Sequence, residues 1–115
     1  MSTGIEDVVA RQVEAYNRHD LEGFLACYAP EVVIEDGAGQ VMLRGREAMR
    51  GMYGQLFKSS PELRCEIKQR IVVGAYVIDE ETVTGCKLSG MPPESHAAAV
   101  YRLERGLIAH VRLLM

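Results

Sequence analysis

Asp36 closes the apolar run Val32-Val33-Ile34 and is followed at once by the turn Gly37-Ala38-Gly39. A strand with period two puts Val32, Ile34 and Asp36 on one face, and Val33 and Glu35 on the other. If the first face lines an apolar cavity, the Asp36 carboxylate loses water, holds protons more tightly and becomes a general base. The same residue can instead accept backbone N–H bonds from the glycine turn, a common use of Asp. Gln12 and Tyr16 lie four residues apart, so a helix would present their amide and hydroxyl on one face. Either group could donate a hydrogen bond to an oxygen in a cavity. The plainer roles are a half-exposed polar side chain for Gln12 and a core aromatic with its hydroxyl at the rim for Tyr16.

Metal chemistry finds little support. The three histidines, His19, His96 and His110, show no HxH or HxxxH spacing. Cys27, Cys65 and Cys86 are well separated and odd in number, which argues against a zinc site and a disulfide framework. His19 falls in the "NRHD" break as an exposed or end-capping residue. His96 follows "PPES", either at a cavity mouth or simply at the start of a strand.

These groups need one compact scaffold. At 115 residues, the chain fits a single domain over 1–115 that buries roughly 65% of its unfolded surface. A hydrophobic share of 48% and a net charge of −3 describe a globular protein with no basic field for nucleic acid or acidic lipid. The cluster Arg44, Arg46 and Arg50 reads as a solvated helix start. Reduced cysteines point to the cytoplasm, and no apolar run suits export or membrane insertion.

Thr3 and Glu6 have capping-box spacing before a first helix over about 4–17. Asp20 caps a second helix, "LEGFLACY", which Pro30 closes before a strand over about 31–36. "QVMLRG" is a short strand or extended piece, and "REAMRGMYGQLF" a third helix. Gly51 and Gly54 weaken that helix, so packing must hold it or close approach must need them. The second half is strand-like: "LRCEIKQRIVV", "YVIDEETVTGCKL", "HAAAVYRL" and "LIAHVRLLM". Helices first and antiparallel strands later give an α+β class. The economical packing is a cone-shaped, curved mixed or antiparallel sheet on three N-terminal helices, enclosing an apolar pocket for a small molecule. Parity assigns Ala97, Ala99, Tyr101 and Leu103 to that pocket, beside Val32 and Ile34. Met49, Met52, Tyr53 and Leu56 join them from the third helix, unless all of these are plain core.

The run "YNRHDLEGFLACYAPEVVIEDGAG…LRGREAMRGMY" and the ending "VYRLERGLIAHVRLLM" resemble the nuclear transport factor 2-like superfamily, in its ketosteroid isomerase and SnoaL-like branch. "RIVVGAYVIDEETVTG" resembles steroid delta-isomerase-related proteins. The resemblance spans nearly the whole chain. It implies that Asp36, by its distance from Asp20, occupies the general-base position, and that Tyr53 supports an oxyanion hole. The hole's main tyrosine corresponds to Gln12 and its protonated aspartate to Ala99. It also implies that Val111, Leu113 and Met115 line the cavity, while His110, Arg112 and Leu114 face outward where such proteins form homodimers. The activity implied is that of a SnoaL-like isomerase, cyclase or lyase without a cofactor, in which Asp36 is the base and Tyr53, Tyr16 or Gln12 steadies the oxyanion. Without the two usual donors it is not a faithful ketosteroid isomerase. The alternatives are a non-catalytic dimeric ligand-binding protein, or a dimerisation domain with a filled core.

Overall fold

The computed structural model describes residues 4–115, so Thr3 of the expected capping box lies outside the described residues. Three helices, α1 (Glu6–Asn17), α2 (Leu21–Leu25) and α3 (Arg46–Ser59), accompany six strands. The strands are β1 (Tyr28–Asp36), β2 (Val41–Arg44), β3 (Arg64–Val73), β4 (Tyr76–Thr84), β5 (Ser95–Glu104) and β6 (Leu107–Leu114). They form one curved, unclosed sheet in the order β2-β1-β6-β5-β4-β3. Only the β1–β6 pair is parallel among them, so the sheet is mixed and the class α+β, as expected.

The α2–β1 boundary differs from the expectation. Asp20 does cap α2, with its Oδ1 accepting from Gly23 N–H at 3.0 Å. The helix ends at Leu25, however, and Tyr28 already belongs to β1. Pro30 lies inside that strand rather than closing a helix. It is tolerated because the β1–β6 register is interrupted between Tyr28 and Val33, where no ladder bond needs its missing N–H. Gly45 turns the chain from β2 into α3 at φ 92°, a conformation that L side chains rarely adopt. At Gly51 an added Cβ would meet nothing, so no close approach requires that glycine, and packing holds α3 through buried Met49, Leu56 and Phe57. The arginines near its start are engaged: Arg46 donates to the Tyr28 carbonyl, and Arg50 pairs with Glu47 and Glu22.

The strand periodicity holds with one informative break. Ala97, Ala99, Tyr101 and Leu103 all turn inward from β5. On β6 a bulge opposite Arg102 and Leu103 resets the phase, so Ile108 and Val111 both reach the core although three residues separate them. The "NRHD" break is a clasp rather than an exposed corner. The Asn17 side chain exchanges two hydrogen bonds with the Cys65 backbone, at 2.9 and 2.7 Å. His19 stacks on Phe57 with 5.4 Å between ring centroids, and its Nε2 contacts the Leu63 carbonyl. Together they fix the end of α1 against the start of β3.

Inside this frame β4 carries two acids on its buried face. Asp79 is fully buried and forms a two-pronged pair with Arg70, directly opposite on β3, at 2.6 and 2.8 Å. Such pairs add little net stability, but removing one partner strands the other. Arg70→Met is therefore expected to lower the free energy of unfolding by roughly 3–5 kcal/mol at neutral pH. Urea denaturation showing a loss below about 1 kcal/mol would contradict the pairing.

Candidate functional site

A cavity of about 160 Å³ lies between the inner sheet face and helices α1 and α3. Three methionines at its edge, Met42, Met91 and Met115, are well exposed, so the cavity opens to solvent there. Its deeper wall is aromatic: Tyr16, Phe24, Tyr28, Tyr53 and Tyr101 all border it. The rings brace one another, with Phe24 and Tyr53 at 4.7 Å and Tyr16 edge-on to Phe57 at 5.4 Å. Such contacts fix ring positions at little entropic cost.

One carboxylate faces this space, and it is Glu81. It stands on β4 two residues beyond Asp79, on the same face. Asp79 has Arg70; Glu81 has no salt bridge among the described residues, and no lysine, arginine or histidine borders the cavity. Burial, followed by the negative charge of Asp79, pushes its pKa from the ordinary 4.5 up to about 7, with a hydrogen bond from Cys65 pulling the other way. Burial also raises the Tyr16 and Tyr53 phenols well above their usual range, so both remain protonated donors. Neither hydroxyl has a hydrogen bond to another group among the described residues.

Gln12 is buried, not half-exposed, and its amide is already engaged. Tyr28 Oη donates to Gln12 Oε1 at 2.8 Å, and Gln12 Nε2 donates to Tyr101 Oη at 3.1 Å.

The sequence-derived candidates divide into three groups. Ten of the expected lining residues border the cavity: Gln12, Ile34, Met52, Tyr53, Leu56 and Ala97, then Tyr101, Val111, Leu113 and Met115. Val32, Met49, Ala99 and Leu103 are buried in the core behind it, because their side chains pack into neighbouring elements instead of the open space. Asp36 stands outside the lining. Its Oδ1 accepts from Ala38 N–H and Gln40 N–H, both at 2.9 Å, which makes it the organiser of the β1–β2 turn. Glu81, Cys65 and Tyr28 were not singled out from the sequence. A signal for Glu81 existed in the alternation Val77-x-Asp79-x-Glu81-x-Val83, which places two acids on a face that also carries valines.

The remaining polar residues lie on the other side of the sheet. Glu35 receives both His110 Nε2 and Arg112 Nη2 at 3.0 Å, and its carboxyl is held below the ordinary range, chiefly by Arg112. His96 pairs with Glu80 at 2.7 Å and does not reach the cavity. Among the described residues no three His, Cys, Asp or Glu side chains converge as metal ligands, and no helix is long and apolar enough to cross a membrane.

Residues 9–111 match the model of the SnoaL-like domain. No protein of curated function matches the sequence. Among solved structures, the chain is similar to an uncharacterised cystatin-fold protein from Novosphingobium aromaticivorans. The two share 24% identity over 99% of this chain and 100% of that one, with a TM-score of 0.88. A putative polyketide cyclase from Sinorhizobium meliloti is 20% identical over 93% of each chain, with a TM-score of 0.76. A hypothetical protein with a ketosteroid isomerase-like fold from Catenulispora acidiphila, solved with trimethylamine, is 17% identical over 93% of this chain and 83% of that one, with a TM-score of 0.72. At these identities the likeness to solved structures speaks for the fold alone. With the family match covering most of its length, the chain belongs to the SnoaL-like domains of the nuclear transport factor 2-like superfamily.

Proposed function

We propose that this protein binds an apolar carbonyl compound in its cavity and moves a proton on it, as a cofactor-free isomerase, cyclase or lyase with Glu81 as the base. The observation that carries the reading is an acid without a cation in an open apolar cavity. A structural carboxylate in such a place would be paired, as Asp79 is. A base poised near neutral pH is the kind that acid–base catalysis favours. Protonated tyrosines around it supply neutral donors for the oxygen that gains charge when a proton leaves the adjacent carbon. The likeness to a putative polyketide cyclase is in keeping with this substrate class.

Asp36 is the competing base, since the resemblance to ketosteroid isomerases assigns that role to its position. The two separate cleanly. Ligand-induced thermal shifts across steroids, aromatic polyketides and small lactones would identify binders, because a ligand of the native state raises apparent stability. On a compound that the protein turns over, Glu81→Gln is expected to cut kcat by on the order of 10²–10⁴-fold. Asp36→Asn keeps an oxygen acceptor for the two turn N–H groups and is expected to stay within a few-fold of wild type. The reverse pattern would return the role to Asp36. Binding without turnover of any compound would make the protein a ligand-binding module.

The raised Glu81 pKa links activity and stability in opposite directions. Between pH 4.5 and about 7 the folded chain holds a proton that the unfolded chain has released. Stability therefore falls as pH rises through that window and levels off above it. Relative to Glu81→Gln, the loss is expected to be on the order of 3 kcal/mol. Turnover, which needs the ionised base, should rise through the same range. Unfolding curves of the two proteins that run parallel from about pH 4 to 8 would remove the basis for Glu81 as a tuned base.

A homodimer belongs to the same reading, formed through the outer sheet face that carries His110 and Arg112. Their shared pairing with Glu35 leaves that face less charged than its composition suggests. Sedimentation is expected to give twice the mass of the 12.8 kDa chain; a monomer at all concentrations tested would reject the dimer.

A further inference from the structure

The hydrogen bonds across the cavity have a direction, and counting donors and acceptors along them leaves two hydrogens over, the second N–H of Gln12 and the O–H of Tyr101. Tyr28, on β1, is deeply buried, and burial keeps its phenol protonated, so its hydroxyl is a donor. It donates to Gln12 Oε1 at 2.8 Å. Gln12 Nε2 then donates to Tyr101 Oη. A tyrosine hydroxyl has one hydrogen to give, and an N–H already occupies one of its acceptor positions. The Tyr101 hydrogen has no acceptor among the described residues, and Tyr101 borders the cavity.

We infer that Tyr101 is the hydroxyl that grips the oxygen of the bound compound, and that Gln12, held by Tyr28, is the positioning residue that aims it. This rests on the reading of the cavity as a carbonyl site and names the donor within it. Tyr101 differs from Tyr16 and Tyr53 in one respect. Among the described residues their hydroxyls have no hydrogen-bond partner, whereas that of Tyr101 accepts an amide N–H, which fixes its oxygen and polarises its O–H toward donation. The three side chains come from three elements, β1, α1 and β5, so the hydrogen-bonded series closes only in the assembled fold. The matching ligand class is a neutral compound whose single oxygen gains negative charge, a ketone passing to its enolate or a phenol to its phenolate. Gln12 keeps a second N–H, but a neutral amide is a weaker acid than a phenol, so Tyr101 is the stronger donor to an oxygen that gains charge.

4-Nitrophenol is the probe, because its phenol and phenolate forms absorb differently and each can be titrated separately. Glu81→Gln provides the background, so that no carboxylate opposes the phenolate. In that background Tyr101→Phe is expected to weaken phenolate binding by on the order of 10- to 100-fold, the usual worth of a hydrogen bond to a charged group. Binding of the neutral phenol should weaken only a few-fold, a split that mere loss of packing would not produce. Tyr28→Phe and Gln12→Leu should each give a smaller loss with the same split, and Tyr53→Phe almost none. If Tyr101→Phe does not fold, Gln12→Leu carries the test, and an unchanged phenolate affinity there overturns the inference. So does a Tyr101→Phe effect no larger than that of Tyr53→Phe, a larger effect from Tyr28→Phe, or no uptake of the probe by any of the proteins. Loss of turnover in Glu81→Gln with Tyr101 indifferent to the probe would leave Glu81 as the base and overturn only the donor.

Discussion

The interior depends on an asymmetry between two acids two residues apart on β4. Asp79 faces Arg70 across the β3–β4 ladder and is neutralised by it at two contacts. Glu81 shares the face but meets a thiol, aromatic rings and open space. Burying a lone carboxylate is costly, and a protein ordinarily avoids it or adds a cation. Here the cation across the ladder, Arg70, is consumed by the neighbour, and the neighbour's remaining charge raises the Glu81 pKa further. The ion pair thus sets the depth of β4 in the core and also tunes the acid beside it.

Holding that arrangement falls to register rather than to loops. Slipping β3 by one residue against β4 would turn the side chain of Arg70 to the outer face and strand Asp79. The clasp of Asn17 and His19 on the Cys65 backbone and on Phe57 pins the start of β3, five residues before Arg70. From the other side, the aromatic cluster of Tyr16, Phe24, Tyr53 and Phe57 spaces α1 and α3 away from the sheet. The cavity lies in the gap that those bulky rings keep open.

Element order, class and most strand faces were legible in the sequence, because periodicity records which side of an element meets the core. Ala97 and Tyr101 fell on the cavity side for that reason. The period alone could not tell lining from core: Val32 and Ile34 share a face, yet only Ile34 borders open space. That distinction depends on how closely the opposite element approaches. The end of α2 was misread because Pro30 ordinarily ends a helix, and only the interrupted β1–β6 ladder reveals how a strand accommodates it. Asp36 was conspicuous because it ended a hydrophobic run beside glycines. That setting serves a turn well, and its carboxylate is used there. Glu81 was hidden in a stretch where polar residues alternate with apolar ones on both faces, and the cation that its neighbour Asp79 consumes, Arg70, sits on another strand.

The residues that depart from the ketosteroid isomerase pattern, Gln12 and Ala99, make sense together. An alanine at position 99 has no hydrogen to donate, but it is fully buried and leaves room for its neighbour on the same strand face, Tyr101. A glutamine at position 12 carries its acceptor and its donor on separate atoms of one rigid amide, and joins Tyr28 and Tyr101 through them. On the proposed reading, the donor that the pattern places on α1 is moved across the cavity to β5. A base on β4 suits that move, since β4 and β5 are paired neighbours, with Glu81 opposite Ala97 and Val77 opposite Tyr101. The proposed base and donor then stand on adjacent strands of one rigid sheet, where a shared ladder fixes their spacing more firmly than any helix–sheet contact would.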